Sequence, residues 1–143
     1  MIKLFLDSNC WIRYIVKDNQ IQWDDISQLI ESNENGNVTF YTSSIVFLEI
    51  NFVLKKIYEF KFDEILDVLD RITKTRGITI IETTSSKKAL EYVRKHHLKF
   101  SDSLIASQVS KDQILVTFDR DFSKIKDLRV KTPSQVLSLL NNN

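Results

Sequence analysis

The sequence is short of the residues that make linkers, cross-links and long apolar segments. It holds two glycines, one proline and one cysteine in 143 residues. Two glycines and one proline leave few places for flexible linkers, and the single cysteine, Cys10, has no partner for a disulfide within the chain. No apolar run approaches the ~20 residues that a membrane-spanning helix needs, and the apolar start at residues 1–6 is too short for a secretory signal. These absences predict a cytoplasmic protein without a membrane segment.

The sequence also has little surplus of either charge. Twenty Lys and Arg stand against nineteen Asp and Glu, which gives a net charge of +1. No overall field therefore attracts the protein to nucleic acid or to an anionic membrane, and any such binding must depend on a local patch. The length matches one ordinary domain. We expect residues 1–140 to form this domain and residues 141–143 to form a disordered tail.

Short apolar runs alternate with longer segments of helical period. Five runs predict strands, at residues 2–6, 38–41, 78–81, 114–116 and, more weakly, 128–130. The apolar positions of the helical segments are Trp23, Ile26, Leu29 and Ile30; Ile45, Leu48, Phe52 and Val53; Ile65, Leu66, Leu69 and Ile72; and Ala89, Leu90 and Val93. Strands that alternate with helices predict a parallel sheet covered on both faces, which is a three-layer α/β/α sandwich.

Acidic residues stand where several of these elements meet. Asp7 follows the first predicted strand directly, and Asp119 follows the fourth after Thr117 and Phe118. Parallel sheets bind ligands beyond the carboxyl ends of their strands, so both acids should lie at that edge. Asp102 begins a further helix. A second interpretation stays open for each of the three, because an Asp at such a position also caps a helix or lies in its first turn.

Glu49 is harder to explain as a capping residue. It lies within an apolar run at residues 45–54, and Ile45 and Val53 place it on a stripe that we expect to face the core. An unpaired buried carboxylate costs several kcal/mol or takes up a proton. Residues 37–54 contain no Lys or Arg, so a local ion pair is excluded, although distant Arg13 remains open as a partner. The pattern favours a metal ion or a distant partner for Glu49.

Carboxylates that share a cleft repel one another unless cations bind among them. Oxygen ligands without His or Cys favour Mg²⁺ or Mn²⁺ over zinc. A basic segment precedes Asp102 and offers contacts to phosphate groups, or else forms a merely solvated helix face. The candidate RNA-binding residues are Lys87, Lys88, Arg94, Lys95 and Lys99, together with Arg13.

Four segments, in order along the chain, resemble the motifs of the PIN-domain nuclease family, and in particular its single-domain VapC-type toxins. They are residues 4–9, 46–54, 100–106 and 115–122. Ser8, where many relatives carry Thr, is a mild departure. The resemblance implies that Asp7, Glu49, Asp102 and Asp119 bind metal and carry catalysis. Asp121 competes with Asp119 for the fourth place, and Asn9 and Thr117 are implied to position water or a carboxylate.

The resemblance also implies a function and partners. It implies a five-stranded, mainly parallel sheet and an endoribonuclease that hydrolyses RNA with Mg²⁺ or Mn²⁺, works as a homodimer and is paired with a small antitoxin protein. Two alternatives stay open, an RNA-processing nuclease without an antitoxin and a non-catalytic module that binds RNA or protein. A phosphatase with an aspartyl nucleophile is disfavoured, because the Asp119 and Asp121 pair does not follow the first strand.

Overall fold

The five apolar runs form the five strands of one parallel sheet. The computed structural model describes residues 1–142, in which the strands are β1 (Ile2–Leu6), β2 (Val38–Ser43), β3 (Ile78–Ile81), β4 (Gln113–Val116) and β5 (Arg129–Lys131). The α-helices of the same residues are α1 (Ser8–Ile15), α2 (Gln20–Glu31), α3 (Ser44–Lys56), α4 (Phe62–Thr73), α5 (Ser86–His96), α6 (Phe100–Gln108) and α7 (Pro133–Asn141). Short 3₁₀ turns occupy Ser32–Asn35 and Arg120–Lys124.

The strands lie in the order β3-β2-β1-β4-β5, and every neighbouring pair is parallel. Strand β1 is central, with Leu4 opposite Phe40 of β2 on one side and opposite Ile114 of β4 on the other. All four residues of β4 are buried, so helices cover both faces of the sheet at its centre. The predicted α/β sandwich with five parallel strands is therefore confirmed.

The strand order places a crevice between β1 and β4. The chain builds outward from β1 through β2 to β3, and then returns to place β4 on the other side of β1. The connections that leave β1 and β4 therefore diverge at the carboxyl ends of these two strands, which is where ligands bind in open parallel sheets. Asp7 and Thr117 are the residues that follow the two strands.

Two helices begin directly at this edge because the residue that precedes each helix caps it. The Ser43 side chain, at the end of β2, accepts a hydrogen bond from the Val46 N–H at 3.3 Å. Asp7, at the end of β1, is the N-cap of α1, and its side chain accepts from the Ser8 N–H. Such caps satisfy amides that a helix leaves free at its first turn. Helix α3, which carries Glu49, therefore starts at the same edge as α1.

The buried face of α3 differs in part from the one expected, since Ile45 and Val53 pack against the core but are only partly buried. Val46, Ile50 and Leu54 face the core without any exposed surface, whereas the side chains of Leu48 and Phe52 are 64% and 60% exposed. The apolar run surrounds nearly the whole helix, so its sequence has no clear period from which to choose a face. Tertiary packing makes the choice, and it leaves Glu49 beside the buried stripe rather than within it.

Two other helices differ from expectation in the same way. Leu66 of α4 and Leu90 of α5 are exposed, although both were counted among the apolar positions of their helices. Each follows a neighbour that is buried, Ile65 and Ala89. Adjacent helical residues point about 100° apart, so only one member of each pair reaches the core.

The last helix extends to the end of the described residues. Helix α7 includes Asn141 and has Asn142 as its C-cap, while Asn143, the end of the predicted tail, lies outside the described residues. Among the helices of residues 1–142, none combines the length and the apolar content that crossing a membrane requires.

Candidate metal centre

Asp7 is both a helix cap and the centre of a polar network. Its side chain is buried, and Oδ1 accepts a hydrogen bond from the Ser8 N–H at 2.8 Å. Its other oxygen, Oδ2, accepts from the Thr117 hydroxyl at 2.8 Å and from the Asn9 amide at 3.3 Å. The capping interpretation is therefore correct, but it accounts for only one of the two carboxylate oxygens.

Thr117 and Asn9 join the ends of β1 and β4. The Thr117 hydroxyl accepts hydrogen bonds from Asn9 Nδ2 and from the Asp119 N–H, both at 3.0 Å, while it donates to Asp7. The Asn9 side-chain oxygen accepts from the Phe118 N–H at 3.2 Å. Every polar atom of these two side chains that can bond within the network does so, which fixes the geometry of the edge.

One carboxylate oxygen of Glu49 accepts a hydrogen bond, and the other has no hydrogen-bond partner. Its Oε2 accepts from the Ser8 hydroxyl at 2.6 Å. Its Oε1 is buried and has no hydrogen-bond partner. Within residues 1–142, no Lys, Arg or His forms an ion pair with Glu49. A buried carboxylate oxygen without a donor is costly, so this atom is suited to contact a cation.

Arg13, considered above as a partner for Glu49, has other partners. Its guanidinium donates to Asp18 at 3.0 Å, to the Tyr58 hydroxyl at 3.1 Å and to Gln22 at 2.6 Å. These bonds join the turn between α1 and α2 to the end of α3. Arg13 therefore supports the fold in this region and does not neutralise Glu49.

The negative charge of Glu49 acts on two other acids, Asp7 and Asp102. Burial and the negative charge of Glu49 raise the pKa of Asp7 to about 7. Burial and the charge of Glu49 likewise raise the pKa of Asp102, a half-buried residue in the first turn of α6, to about 6. Both carboxyls thus resist ionisation in the absence of a cation, which is the behaviour expected of acids that share a cleft.

Asp119 and Asp121 differ in their effect on Asp102 and in their exposure. Asp119 raises the pKa of Asp102 more than Asp121 does. Asp119 is half-buried, and its Oδ1 accepts from the Asp121 N–H at 2.9 Å, so it also caps the 3₁₀ turn that follows. Asp121 is exposed and lies 3.7 Å from Lys124 Nζ. Of the two acids, Asp119 is therefore the more buried and has the greater effect on the pKa of Asp102.

The acidic side chains are not placed to enclose a bare metal ion. Among residues 1–142, no three His, Cys, Asp or Glu side chains, as placed, could hold a single ion between them. The raised pKa values nevertheless show that the carboxylates interact. A small hard cation keeps several waters and contacts one or two carboxylates directly, and the oxygen donors present, with Glu49 Oε1 lacking a hydrogen-bond partner, suit such a cation.

The candidate RNA-binding cations are divided between two ends of the molecule. Lys99, the residue before α6, lies close enough to Asp102 to lower its pKa. Lys88 instead lines a cavity with Lys111 and Leu128, which precede β4 and β5 and so mark the opposite edge of the sheet. The remaining cations of α5, all exposed, are Lys87, Arg94 and Lys95.

An apolar groove of about 580 Å³ adjoins the acids. Glu49 and Asp102 form part of its wall, and the rest includes the exposed side chains of α3 and the start of α6. Its most exposed apolar members are Leu48, Phe52, Ile57 and Phe100. The acids therefore lie at the margin of an apolar surface, not in a polar cleft on all sides.

The contact that holds Glu49 is not indicated by the sequence. The sequence distinguishes Ser8 only as a departure from Thr, although its hydroxyl donates to Glu49. The partners are 41 positions apart, and no local pattern indicates such a pair. Cys10, two residues further along α1, is fully buried, and its thiol donates to the Val116 carbonyl oxygen at 3.3 Å.

The chain thus combines a parallel α/β domain with a cluster of acidic residues beyond the central strands of the sheet. The model of one family, the PIN domain, matches residues 4–128, and the chain belongs to that family. No curated protein sequence matches the chain.

Three solved structures share the fold. VapBC2 from Rickettsia felis, crystallised with a DNA fragment from its promoter, has a chain 24% identical to this one with a TM-score of 0.62, and the match covers 92% of this chain and 98% of that one. A toxin-antitoxin complex from Klebsiella pneumoniae has a chain 18% identical with a TM-score of 0.61, covering 91% and 97%. PAE2754 from Pyrobaculum aerophilum is 15% identical with a TM-score of 0.64, covering 99% and 91%.

Proposed function

We propose that this chain is an endoribonuclease that hydrolyses RNA with Mg²⁺ or Mn²⁺ held by its carboxylates. PIN domains are typically nucleases that use divalent metal ions, which supports a hydrolase of this kind. The observation that carries the proposal is Glu49, whose charge acts on both Asp7 and Asp102 and whose buried Oε1 has no partner. All-oxygen ligands suit Mg²⁺ and Mn²⁺.

In this mechanism Asp7, Glu49, Asp102 and Asp119 would hold the metal, and Asp121 would at most act through water. The cation supplies positive charge that activates a water molecule and stabilises the leaving oxygen of the phosphodiester. The four carboxylates must be ionised for this role, so the chain must lose the protons that the raised pKa values retain on two of them.

Residues around the acids would orient the reacting groups. Thr117 and Asn9 hold Asp7 in one rotamer by hydrogen bonds to Oδ2. Lys99, next to Asp102, would contact a phosphate of the bound strand and bring the scissile bond toward the acids. Water attack requires no side-chain nucleophile, and it leaves a 5′-phosphate and a 3′-hydroxyl on the products.

The test is cleavage of an end-labelled single-stranded RNA of mixed sequence by the purified chain. We expect cleavage with Mn²⁺ or Mg²⁺, no cleavage in EDTA, and 5′-phosphate ends on the products. Asp102→Asn should lower the rate of cleavage strongly and keep the fold, as checked by circular dichroism. Full activity in EDTA, or products with a 2′,3′-cyclic phosphate, would refute the proposal.

We also propose that the chain is the toxin of a toxin-antitoxin pair and acts in the cytoplasm. The structures from Rickettsia felis and Klebsiella pneumoniae, described as VapBC2 and as a toxin-antitoxin complex, support this assignment. Expression of the chain should then arrest growth, and co-expression of a small protein encoded beside it should restore growth and form a complex that co-purifies. An RNA-processing nuclease would cleave RNA without such a partner, and a non-catalytic module would bind no Mn²⁺ in a calorimetric titration.

The exposed apolar side chains around the groove support a homodimer. Leu48, Phe52, Ile57 and Phe100 together form an apolar surface of the kind that mediates protein contacts. We expect light scattering after gel filtration to give the mass of a dimer for the wild type and that of a monomer for Phe52→Lys. Leu90→Lys, which places the same charge on an exposed leucine of α5, is the matched control and should leave the dimer intact.

A further inference from the structure

We propose that Ser8 is a positioning residue that fixes Glu49 for the cation, an inference that rests on the proposed metal-dependent function. The Ser8 hydroxyl donates to Glu49 Oε2 at 2.6 Å, a distance typical of a hydrogen bond from a hydroxyl to an ionised carboxylate. Because this bond holds one oxygen of Glu49 in place, Oε1 is the atom left for the metal.

Ser8 holds two acids through two different donors. Its backbone N–H bonds to Asp7 Oδ1 at 2.8 Å, and its hydroxyl bonds to Glu49. The hydroxyl oxygen is also 3.5 Å from Asp7 Oδ1, but its single hydrogen serves the much shorter contact with Glu49. A change of the side chain therefore removes the bond to Glu49 and leaves the backbone bond to Asp7.

The Ser8 hydroxyl is a neutral donor, so it leaves the negative charge of Glu49 available to a cation. Asp7 and Asp102 both repel Glu49, so an unrestrained carboxylate would rotate toward solvent. A Lys or Arg would hold Glu49 equally well, but its charge would compete with the metal. A buried hydroxyl holds the side chain without cancelling its charge. The bond also crosses from α1 to α3, so it joins the acid at the end of β1 to the acid on the neighbouring helix.

The experiment measures Mn²⁺ affinity by calorimetry on the purified chain without RNA. Ser8→Ala should weaken Mn²⁺ binding by roughly ten-fold or more, the effect typical of losing a group that orients a metal ligand. Ser8→Thr should bind nearly as the wild type does, and Ser8→Val, which matches Thr in shape but has no hydroxyl, should resemble Ser8→Ala. Comparison of Thr with Val cancels any effect of the added methyl group on folding.

Two further variants separate positioning from general damage. Ser86→Ala alters the first residue of α5, the same helix position away from the acids, and should leave Mn²⁺ binding unchanged. In a Glu49→Gln background, Ser8→Ala should cause no further loss, because the ligand that Ser8 orients is already altered.

The outcomes distinguish this inference from the proposed function. If the wild type binds Mn²⁺ and both Ser8→Ala and Ser8→Val bind it equally well, Ser8 has no positioning role and the metal site stands. Equal losses for Thr and Val would also overturn the inference, since the hydroxyl would not be the cause. If the wild type binds no Mn²⁺, both the metal site and the role of Ser8 are wrong.

Discussion

Asp7 and Asp102 belong to the same acidic cluster, but the chain holds them differently. Asp7 is buried and accepts hydrogen bonds from Ser8, Asn9 and Thr117. Asp102 is half-buried, and none of the side-chain hydrogen bonds described in residues 1–142 involves it. We call Asp7 and its donors Ser8, Asn9 and Thr117 the inner half of the site. We call Asp102, Asp119 and Asp121 the outer half.

The two halves differ in how far hydrogen bonds hold their carboxylates before a ligand binds. The inner half is fixed before any ligand arrives, and its burial raises the pKa of Asp7 as a consequence. In the outer half, Asp102 lacks such donors, and no three side chains within residues 1–142 are placed to hold one ion. Glu49 connects the halves, because its charge acts on both Asp7 and Asp102.

The largest expected effect is the loss of Asp7. Asp7→Asn should lower RNA cleavage by roughly a thousand-fold, equivalent to about 4 kcal/mol of lost charge stabilisation. Asp121→Asn, which also removes one carboxylate but at the exposed limit of the outer half, should lower it by less than about ten-fold. Single-turnover rates at saturating Mn²⁺ measure both, and equal losses would remove the distinction between the halves.

The stability of the metal-free protein should depend on pH through Asp7. Its pKa is about 7 in the folded protein against an ordinary value of 3.8, so the folded state keeps a proton that the unfolded state releases. Stability should therefore fall as pH rises from about 4 to about 7, by about 4 kcal/mol at most, and Asp102 should act in the same direction.

Urea unfolding in EDTA from pH 5 to pH 8 measures this effect. Asp7→Asn should flatten the profile relative to the wild type, and Mn²⁺ added at pH 7.5 should raise the free energy of unfolding, because it binds the folded state. A wild-type profile that rises over this range and matches that of Asp7→Asn would contradict the assignment of the retained proton.

A smaller effect should follow from Thr117, whose hydroxyl serves Asp7, Asn9 and the Asp119 N–H. Thr117→Val keeps the shape and should weaken Mn²⁺ binding by roughly ten- to a hundred-fold. Thr79→Val, on an exposed position of β3, is the matched control and should have no effect. Unchanged Mn²⁺ affinity in Thr117→Val would mean that the network stabilises the fold alone.

The smallest predicted effect concerns the cation beside the outer half. Lys99→Ala should lower the slope of RNA affinity against salt concentration by about 0.7, the value for one phosphate contact on a single strand. Lys88→Ala, at the opposite edge of the sheet, should leave the slope unchanged. Fluorescence anisotropy in EDTA, where cleavage is absent, gives both slopes, and an equal change in the two variants would favour a contact surface spread along α5.

Much of the fold could be predicted because a buried strand is a run of apolar residues that the sequence alone shows. Strands β1 and β3 begin and end where their apolar runs do, and the others differ by one or two residues. The face of α3 could not be predicted, since apolar residues surround that helix and only the neighbouring elements decide that Ile50 is buried and Phe52 exposed.

The candidate site could be predicted in part for a similar reason. Asp7 and Thr117 follow strands that lie side by side, and their convergence follows from parallel pairing alone. The bond between Ser8 and Glu49 could not be predicted, because it depends on how α1 packs on α3. The choice of Asp119 over Asp121 as the fourth acid stays a prediction, and the difference in their exposure and in their effect on the pKa of Asp102 has no local sequence pattern.

The position of Cys10 allows thiol labelling to measure local opening of the protein. The thiol has no exposed surface, burial raises its pKa well above the usual range, and its sulfur bonds to the end of β4 just below the acids. An alkylating reagent can react with it only when α1 separates from β4. Because the chain holds one cysteine, the rate of labelling counts a single event, the opening of this edge of the sheet.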